Sequence, residues 1–166
     1  MSTEVAATPP LAPALRAEIA DLYAEYGDVL DAGEYERWTA LFTPVCLYLV
    51  IPRENHERGL PLATVRAESR GMLEDRVHAI RQTQMFVPRW IRHLIGAPRI
   101  LSHADGVVAC RASYAVFETQ PDQLTRVLNV GRYEDEIVRD DGRLRFRRKL
   151  CIFDSILIPT SLVMPI

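Results

Sequence analysis

The amino-acid sequence predicts an α+β domain in which helices come first and cover one face of a curved, mainly antiparallel sheet. Apolar residues follow helical spacing in three segments between residues 14 and 83. Almost everything after Trp90 has the pattern of strands, and the pairs Asp105-Gly106 and Asp141-Gly142 are typical of tight hairpin turns. Helices followed by a run of antiparallel strands characterise this fold class.

The helices are predicted from their apolar spacing and their ends. The first begins at Ala14, and Gly33 supplies its C-terminal stop. Its apolar stripe consists of Leu15, Ile19, Leu22, Tyr23, Tyr26, Val29 and Leu30. A second helix, EYERWTALF, lasts two turns and ends before Pro44. Ser69 is a suitable N-cap for a third helix that continues to about Thr83.

The strands are predicted mostly in the second half of the chain. VCLYLVIP forms a short buried strand after the second helix, and HERGLPLATVRAE contains a loop and another short strand. The later strands are IRHLIGAPRIL, VVACRASYAVFE, TRVLNVGRYEDEIVR and RLRFRRKLCIFDSIL. These four form the antiparallel meander.

The composition is that of one globular domain. The 166 residues are 48% hydrophobic and 25% charged, with a formal net charge of -2, which gives no broad positive field for nucleic acid. No stretch approaches the roughly 18 apolar residues of a membrane span, and no signal peptide is recognisable, so we expect a cytoplasmic protein without membrane partners. Residues 1–13, rich in Ala and Pro, are predicted to be a flexible tail before a single domain at 14–166.

Local motifs for metals, phosphates and nucleophilic serines are missing from the sequence. No two histidines have the spacing of H-E-x-x-H, and no Cys-x-His occurs. A metal site could come only from distant residues, such as His78 and His93 with a carboxylate, and has no local signal. Cys46, Cys110 and Cys151 lie far apart in predicted strands, which favours reduced, partly buried thiols.

Acid–base chemistry in a pocket remains open as an interpretation. A cone formed by a curved sheet and helices encloses a cavity, and its candidate lining residues are Tyr26, Asp28, Asp31, Tyr48 and His93. There His93 would be the base and tyrosine hydroxyls would polarise a carbonyl, as in a dehydratase or isomerase. We favour the structural alternative, because a histidine in an apolar strand usually hydrogen-bonds a backbone or carboxylate partner.

The strand RLRFRRKL carries a dense group of basic residues. Alternation puts Arg145, Arg147 and Lys149 on one face, which we expect to be solvated or to meet an acidic partner. No aromatic residues interleave on that face, which argues against a surface for single-stranded nucleic acid. Arg148 is predicted on the apolar face, paired with Asp154 or Glu134, because an unpaired buried charge is costly.

The segment ILIPTSLVMPI, residues 156–166, contains no charge. Such a segment either packs on its own domain or is buried between subunits, and we favour the second because two prolines interrupt its hydrogen bonding. Met85, Phe86 and Trp90 could add anchors to the same assembly.

The order of these parts resembles a known family. The segments that carry the resemblance are LYAEYGDVLDAGEYERWTALFT, CLYLVIP, SRGMLEDRVHAIR, Arg92-His93-Leu94, GRYEDEIVR and FRRKLCIFDS. Together they are similar to the small (beta) subunit of bacterial aromatic-ring-hydroxylating dioxygenases. FVPRW and IGAP differ from many relatives and resemble the branch associated with aromatic carboxylates such as terephthalate or salicylate.

The resemblance implies a cone-shaped NTF2-like (cystatin-like) fold and an assembly of three large and three small subunits. The large subunit would hold the Rieske [2Fe-2S] cluster and the mononuclear Fe(II), and this chain would be structural, without cofactors or catalytic residues and able to associate as a trimer. The residues expected at subunit contacts are Trp90, Arg92, His93, Leu162, Val163, Met164 and Ile166. The alternatives are a stand-alone dehydratase or isomerase using His93, Asp28, Asp31 and Tyr48, and a plain ligand-binding or oligomerisation module.

Overall fold

The computed structural model describes residues 12–82, 86–155 and 162–166. Its helices are α1 (Pro13–Asp31), α2 (Tyr35–Thr39), α3 (Arg53–Glu57) and α4 (Arg70–Gln82). Its strands are β1 (Phe42–Pro52), β2 (Val65–Ser69), β3 (Trp90–Ile95), β4 (Arg99–Ala104), β5 (Val107–Thr119), β6 (Arg126–Asp140) and β7 (Arg143–Phe153). Residues 1–11 of the predicted tail, Met85, and residues 156–161 of the uncharged C-terminal segment lie outside the described residues.

The helices follow the predicted pattern closely. Pro13 occupies the first turn of α1, where its missing N–H costs nothing, so the helix starts one residue earlier than predicted. The Ser69 hydroxyl accepts a hydrogen bond from the Met72 N–H at 3.2 Å, as expected of an N-cap. None of the helices in the described part of the chain is long and apolar enough to cross a membrane.

The seven strands form one mixed sheet in the order β2-β1-β7-β6-β5-β3, with β4 also paired to β5. Every pair is antiparallel except β1 with β7. At both Asp-Gly turns the residues have positive φ: 51° and 75° at Asp105 and Gly106, and 48° and 74° at Asp141 and Gly142. This conformation confirms the predicted hairpins.

The predicted strand IRHLIGAPRIL is two strands in the structure. β3 pairs with residues 114–119 of β5, and β4 pairs with residues 107–111 of the same strand. The break falls at residues 96–98, where Pro98 has no N–H to donate to a ladder. The short helix α3, in a region predicted to begin a loop, is a second difference.

The inner face of the sheet, which faces α1, α2 and α4, carries most of the core. Aromatic rings dominate it: Trp38, Phe42 and Tyr48 meet edge to face with centroids 5.4–5.8 Å apart. Tyr114 and Tyr133 are stacked at 4.2 Å. A second, smaller cluster on the outer face consists of Ile51, Leu150 and Ile152, against which Leu47, Leu49 and Ala63 pack.

A β-bulge in β7 corrects the prediction for the basic strand. Ile137 is opposite Phe146 and Glu136 is opposite Arg148, so Arg147 is an extra residue. Alternation shifts after the bulge, and Lys149 faces inward with Phe146 instead of outward with Arg147.

Arg148 also departs from its predicted place. Its side chain is partly exposed on the outer face, where its nearest carboxylate is Glu136 at 3.8 Å. Asp154 pairs instead with Arg53, and Glu134 pairs with Arg111 and Arg132. The bulge explains this difference too, because it turns Arg148 away from the apolar interior.

Candidate functional site

Asp31, Arg92 and His93 form a compact polar site where α1 meets β3, which we call the α1–β3 junction. The main-chain N–H of His93 donates to both Asp31 carboxylate oxygens, at 2.9 and 3.2 Å. The His93 Nδ1 lies 2.7 Å from Asp31 Oδ1, and the Arg92 guanidinium donates to Oδ2 at 3.2 Å. One carboxylate therefore ties the first helix to the third strand.

The position of Asp31 in α1 explains why it needs these partners. It is the last residue of the helix, whose final turn contains no basic side chain. A carboxylate at the negative end of a helix dipole is destabilising unless cations or N–H donors compensate it. Arg92 and His93 supply that compensation from the neighbouring strand.

The junction does not expose a reactive imidazole. The His93 side chain is 1% exposed, and its Nε2 has no hydrogen-bond partner among the described residues. A groove of about 590 Å³ runs alongside, between α1 and residues 93–98. α1 and β3 approach each other closely at Gly27. A Cβ built on this glycine would lie 3.7 Å from the Cβ of His93.

The predicted acid–base residues do not form one constellation. His93 and Asp31 are in contact, and the exposed Asp28 lies beside them in the groove. Tyr48 is on β1, which β7, β6 and β5 separate from β3 in the sheet. The predicted histidine–carboxylate pair is therefore present, whereas Tyr48 and Tyr26 lie in a separate interior cluster.

That interior cluster surrounds a buried ion pair that the sequence pattern does not predict. Lys149 is fully buried, and its ammonium donates to Asp135 at 2.9 Å. The ammonium also lies 3.7–4.9 Å from the ring centroids of Tyr23, Tyr26, Tyr133 and Phe146. Regular alternation predicted Lys149 on the outer face with Arg145 and Arg147. The bulge at Arg147 reverses that prediction, and nothing in the local sequence indicates the bulge.

Burial governs the protonation of this cluster. It raises the pKa of Asp135, although Lys149 and the Tyr23 hydroxyl act in the opposite direction. Burial likewise raises the pKa of Tyr26, Tyr48 and Tyr133 well above the usual range. The tyrosines are therefore neutral hydrogen-bond donors at physiological pH.

The cysteines are free thiols, as predicted. Cys46, Cys110 and Cys151 are all buried and form no disulfide. Burial raises the pKa of both Cys110 and Cys151 to about 12, which keeps them protonated. Within residues 12–82, 86–155 and 162–166, no three His, Cys, Asp or Glu side chains lie close enough together to bind a metal ion.

The C-terminal residues 162–166 pack against their own chain. Leu162 and Ile166 are in the main core, and Val163 and Met164 are partly buried against it. Their own domain therefore covers Leu162 and Ile166, and a contact of this segment with another subunit stays a prediction. Arg76, Tyr26 and Tyr48 donate hydrogen bonds to its main-chain oxygens, which therefore have partners without a strand ladder.

Over β3, β5 and β6 the outer face of the sheet is apolar, and no described residue covers it. Arg92 and Leu94 on β3 are opposite Phe117 and Ala115 on β5, which in turn are opposite Val127 and Val130 on β6. With Trp90 these residues form a patch that we call the open face. Trp90 is 65% exposed, and Leu94, Val127 and Val130 are exposed as well.

Comparison with known proteins gives consistent results. Residues 13–149 match the SnoaL-like domain family. The chain is 33% identical over 149 residues to the anthranilate 1,2-dioxygenase small subunit of Burkholderia cepacia, covering 90% of this chain and 92% of that protein. It is 30% identical over 149 residues to a beta subunit of the terephthalate 1,2-dioxygenase terminal oxygenase component from Comamonas sp., covering 90% and 97%.

A solved structure agrees with these relatives. The beta subunit assigned to an aromatic-ring-hydroxylating dioxygenase of Novosphingobium aromaticivorans superimposes with a TM-score of 0.84 at 40% identity, covering 92% of this chain and 97% of that one. The predicted fold and the predicted resemblance are both confirmed. The chain belongs to the family of small (beta) subunits of aromatic-ring-hydroxylating dioxygenases, with a SnoaL-like, NTF2-like fold.

Proposed function

We propose that this chain is a non-catalytic small subunit of a cytoplasmic aromatic-ring-hydroxylating dioxygenase. Its partner is a large subunit that carries the Rieske [2Fe-2S] cluster and the mononuclear Fe(II), in a complex of three large and three small subunits. The names of its relatives, a small subunit and a beta subunit of two such oxygenases, support the partnership. The observation that carries the proposal in this chain is the open face.

The open face has the character of a protein interface. It is mostly apolar, with two aromatic residues, Trp90 and Phe117, and one arginine, Arg92; tryptophan and arginine are residue types that often dominate binding energy. Ion pairs such as Arg111–Glu134 and Arg147–Glu136 lie beyond it on the same face and give it a polar rim. A monomer seldom leaves such a patch in water.

Charge favours the large subunit, rather than a self-complementary contact with a second copy, as the occupant. Arg92 is 71% exposed, so its guanidinium has room for another carboxylate besides Asp31. The outward-facing glutamates of β6, Glu134 and Glu136, are already paired with arginines. In a two-fold contact Arg92 would have to compete for such paired carboxylates of the second copy, whereas a different protein can supply an unpaired one.

The non-catalytic role is supported by the state of the only histidine in the candidate acid–base set. The imidazole of His93 is buried and hydrogen-bonds Asp31, and this contact joins β3 to α1. Tyr48, which would polarise a carbonyl if the chain were a dehydratase or isomerase, hydrogen-bonds the C-terminal segment instead. We therefore propose that His93 serves the fold beneath the subunit contact.

The experiment is co-expression of this chain with its large subunit, followed by native mass spectrometry. We expect Trp90→Glu to lose the large subunit, because a charge in the centre of the contact is desolvated without a partner. Val45→Glu is the matched control, since Val45 is also on a strand and 79% exposed but lies near the opposite end of the sheet.

The outcomes distinguish the possible occupants. A Trp90→Glu chain that keeps its large subunit would contradict the proposal for the open face. A chain that keeps the large subunit but no longer associates with itself would assign the open face to a second copy. Recovery of wild-type complexes with equal numbers of large and small subunits supports the proposed stoichiometry.

The substrate class is proposed from the relatives. Anthranilate and terephthalate, in the names of the two relatives, are both aromatic carboxylates. We propose an aromatic carboxylate for the complex that contains this chain. Oxygen uptake by the purified complex with anthranilate, terephthalate and an uncharged aromatic hydrocarbon tests this, and a preference for the hydrocarbon would contradict it.

A further inference from the structure

The carboxylate of Glu118 is buried between Arg89 and Arg126, and we call these three residues the buried clamp. The Glu118 side chain is 0% exposed, and that of Arg89 is 10% exposed. Arg89 donates to the Glu118 Oε1 at 2.6 Å. Arg126 holds the Oε2 with its Nε at 2.7 Å and its Nη2 at 2.5 Å. Each carboxylate oxygen therefore has a guanidinium of its own.

The buried clamp lies beneath the open face. Glu118 is opposite Ile91 on β3 and opposite Arg126 on β6, and the burial of Glu118 and Ile91 puts this row on the inner side of the sheet. Side chains alternate between the two faces along a strand. The outward-facing neighbours of the clamp in the sequence are therefore residues of the open face, namely Trp90, Phe117 and Val127. One buried group thus underlies three strands of that face.

Arg89 also fixes the segment that leads into β3. Residues 86–89 belong to neither a helix nor a strand. The Arg89 Nε donates to the carbonyl of Val87 at 3.0 Å, and its guanidinium lies 5.8 Å from the ring centroid of Phe86, which packs against the main core. Trp90 is the first residue of β3, where the ladder begins, so its position depends on what holds Arg89.

Stability alone is a poor explanation for such a clamp. Buried ionic groups lose much of their hydration, and their mutual attraction often does no more than balance that loss. Apolar side chains of similar volume frequently give the same or greater stability. Paired hydrogen bonds between guanidinium and carboxylate do add geometric specificity, because they are satisfied in few arrangements. The arrangement that the clamp imposes on its neighbours is therefore the better explanation.

We propose that Arg89, Glu118 and Arg126 are positioning residues for the subunit contact, because the buried clamp holds Trp90 in the place where the large subunit binds it. An anchor that is already held in position loses less conformational freedom on binding, and so it binds more tightly. The clamp acts from the inner side of the sheet, through Trp90 and the strands. This inference rests on the proposed function, since it assigns a role within that contact.

The test removes the charges of the clamp and keeps its volume. The triple variant Arg89→Met, Glu118→Leu and Arg126→Met leaves no member of the clamp charged and unpaired, so we expect its midpoint of urea denaturation to equal or exceed that of the wild-type chain. The matched control is the double variant Lys149→Met with Asp135→Asn. It removes another buried ion pair of the inner face, between β6 and β7.

Fluorine NMR of the isolated full chain, labelled with 5-fluorotryptophan, reports on Trp90 directly. The chain has two tryptophans, the exposed Trp90 and the fully buried Trp38, and therefore two resonances. We expect the triple variant to shift or split the Trp90 resonance and to leave the Trp38 resonance unchanged. The control variant should leave the Trp90 resonance where it is in the wild-type chain.

Assembly is measured by competition between two small chains for the large subunit. The large subunit is co-expressed with the wild-type chain and the triple variant, and native mass spectrometry counts each kind in the complexes relative to its free soluble amount. We expect the wild-type chain to be incorporated about tenfold more often, because an anchor that is no longer held binds less well. The control variant should be incorporated as often as the wild-type chain.

The outcomes separate a positioning role from a structural one. The proposal is overturned if the Trp90 resonance of the triple variant matches that of the wild-type chain, or if the folded triple variant is incorporated as often. A triple variant that fails to fold would also overturn it, because the clamp would then hold the fold itself. A wild-type chain that binds no large subunit contradicts the proposed function, whereas an unmoved Trp90 resonance contradicts this inference alone.

Discussion

The two faces of the same sheet bury their apolar side chains by different means. Against the inner face pack helices, aromatic rings and residues 162–166 of the same chain. On the outer face, the described residues form a small cluster around Leu150 over β1 and β7 and leave β3, β5 and β6 open. The inner face therefore determines whether this chain folds, and the outer face is available for assembly.

The largest expected effect lies on the inner face, at the buried ion pair. Lys149→Met leaves the Asp135 carboxylate buried without its cation, and we expect a loss of about 3–5 kcal/mol in the free energy of unfolding. Urea denaturation measures it. The double variant Lys149→Met with Asp135→Asn removes the uncompensated charge and should recover most of that loss. A single variant within about 1 kcal/mol of wild type would show that the pair is not what holds the interior together.

The α1–β3 junction, at the edge between the two faces, should have a smaller effect. His93→Ala removes a buried hydrogen bond to a carboxylate and should cost about 1.5–3 kcal/mol. Arg92→Ala, at the same carboxylate but largely exposed, should cost less than about 1 kcal/mol. In the assembled oxygenase His93→Ala should leave turnover per iron unchanged. Normal assembly with normal substrate binding and abolished turnover would instead make His93 catalytic.

Alkaline pH should weaken the inner face through its tyrosines. Because burial raises the pKa of Tyr26, Tyr48 and Tyr133 above their ordinary value of 10.0, the folded chain retains protons that the unfolded chain releases. This stability is fully present below pH 10.0 and is lost as the pH rises further, by about 1.4 kcal/mol per pH unit for each group. Tyr26→Phe should reduce the dependence of the free energy of unfolding on pH by about 1.4 kcal/mol per pH unit, the contribution of one tyrosine. Equal slopes in unfolding measurements between about pH 9 and pH 11 would contradict the burial of its hydroxyl.

The smallest effect on folding is expected at the open face. Trp90→Glu, the variant proposed to block assembly, should change the free energy of unfolding of the isolated chain by no more than about 0.5 kcal/mol. We expect an equally small change in the free energy of unfolding for Val45→Glu. If Trp90→Glu destabilised the isolated chain strongly, the open face would be part of the fold and the contrast between the two faces would fail.

The sequence was sufficient to predict features that depend on neighbouring residues. The Asp-Gly turns, the Ser69 cap and the amphipathic stripe of α1 all arise from residues within a few positions of each other, and the structure has each of them. Trp90, predicted at a subunit contact, is indeed exposed, although exposure alone leaves that contact a prediction.

The features that could not be predicted depend on distant partners or on a shift in register. Alternation assumes a regular ladder, so the bulge at Arg147 inverted the prediction for Lys149. Asp31 and His93 are 62 positions apart, and the sequence named both without indicating that one carboxylate would bind the main chain and the ring together. The uncharged composition of residues 156–166 predicts burial, but it does not indicate which surface covers them, and only residues 162–166 are described.

The parallel pairing of β1 with β7 has a consequence for how the chain acquires its structure during synthesis. The Thr43 hydroxyl hydrogen-bonds the carbonyl of Phe146, which is 103 residues further along the chain. The first strand to leave the ribosome can therefore take its place between β2 and β7 only after the seventh is made, while β5 and β6 can pair locally as a hairpin. Contacts this distant in sequence slow folding. We therefore expect the β7 edge of β1 to stay unpaired on the ribosome until β7 has been made.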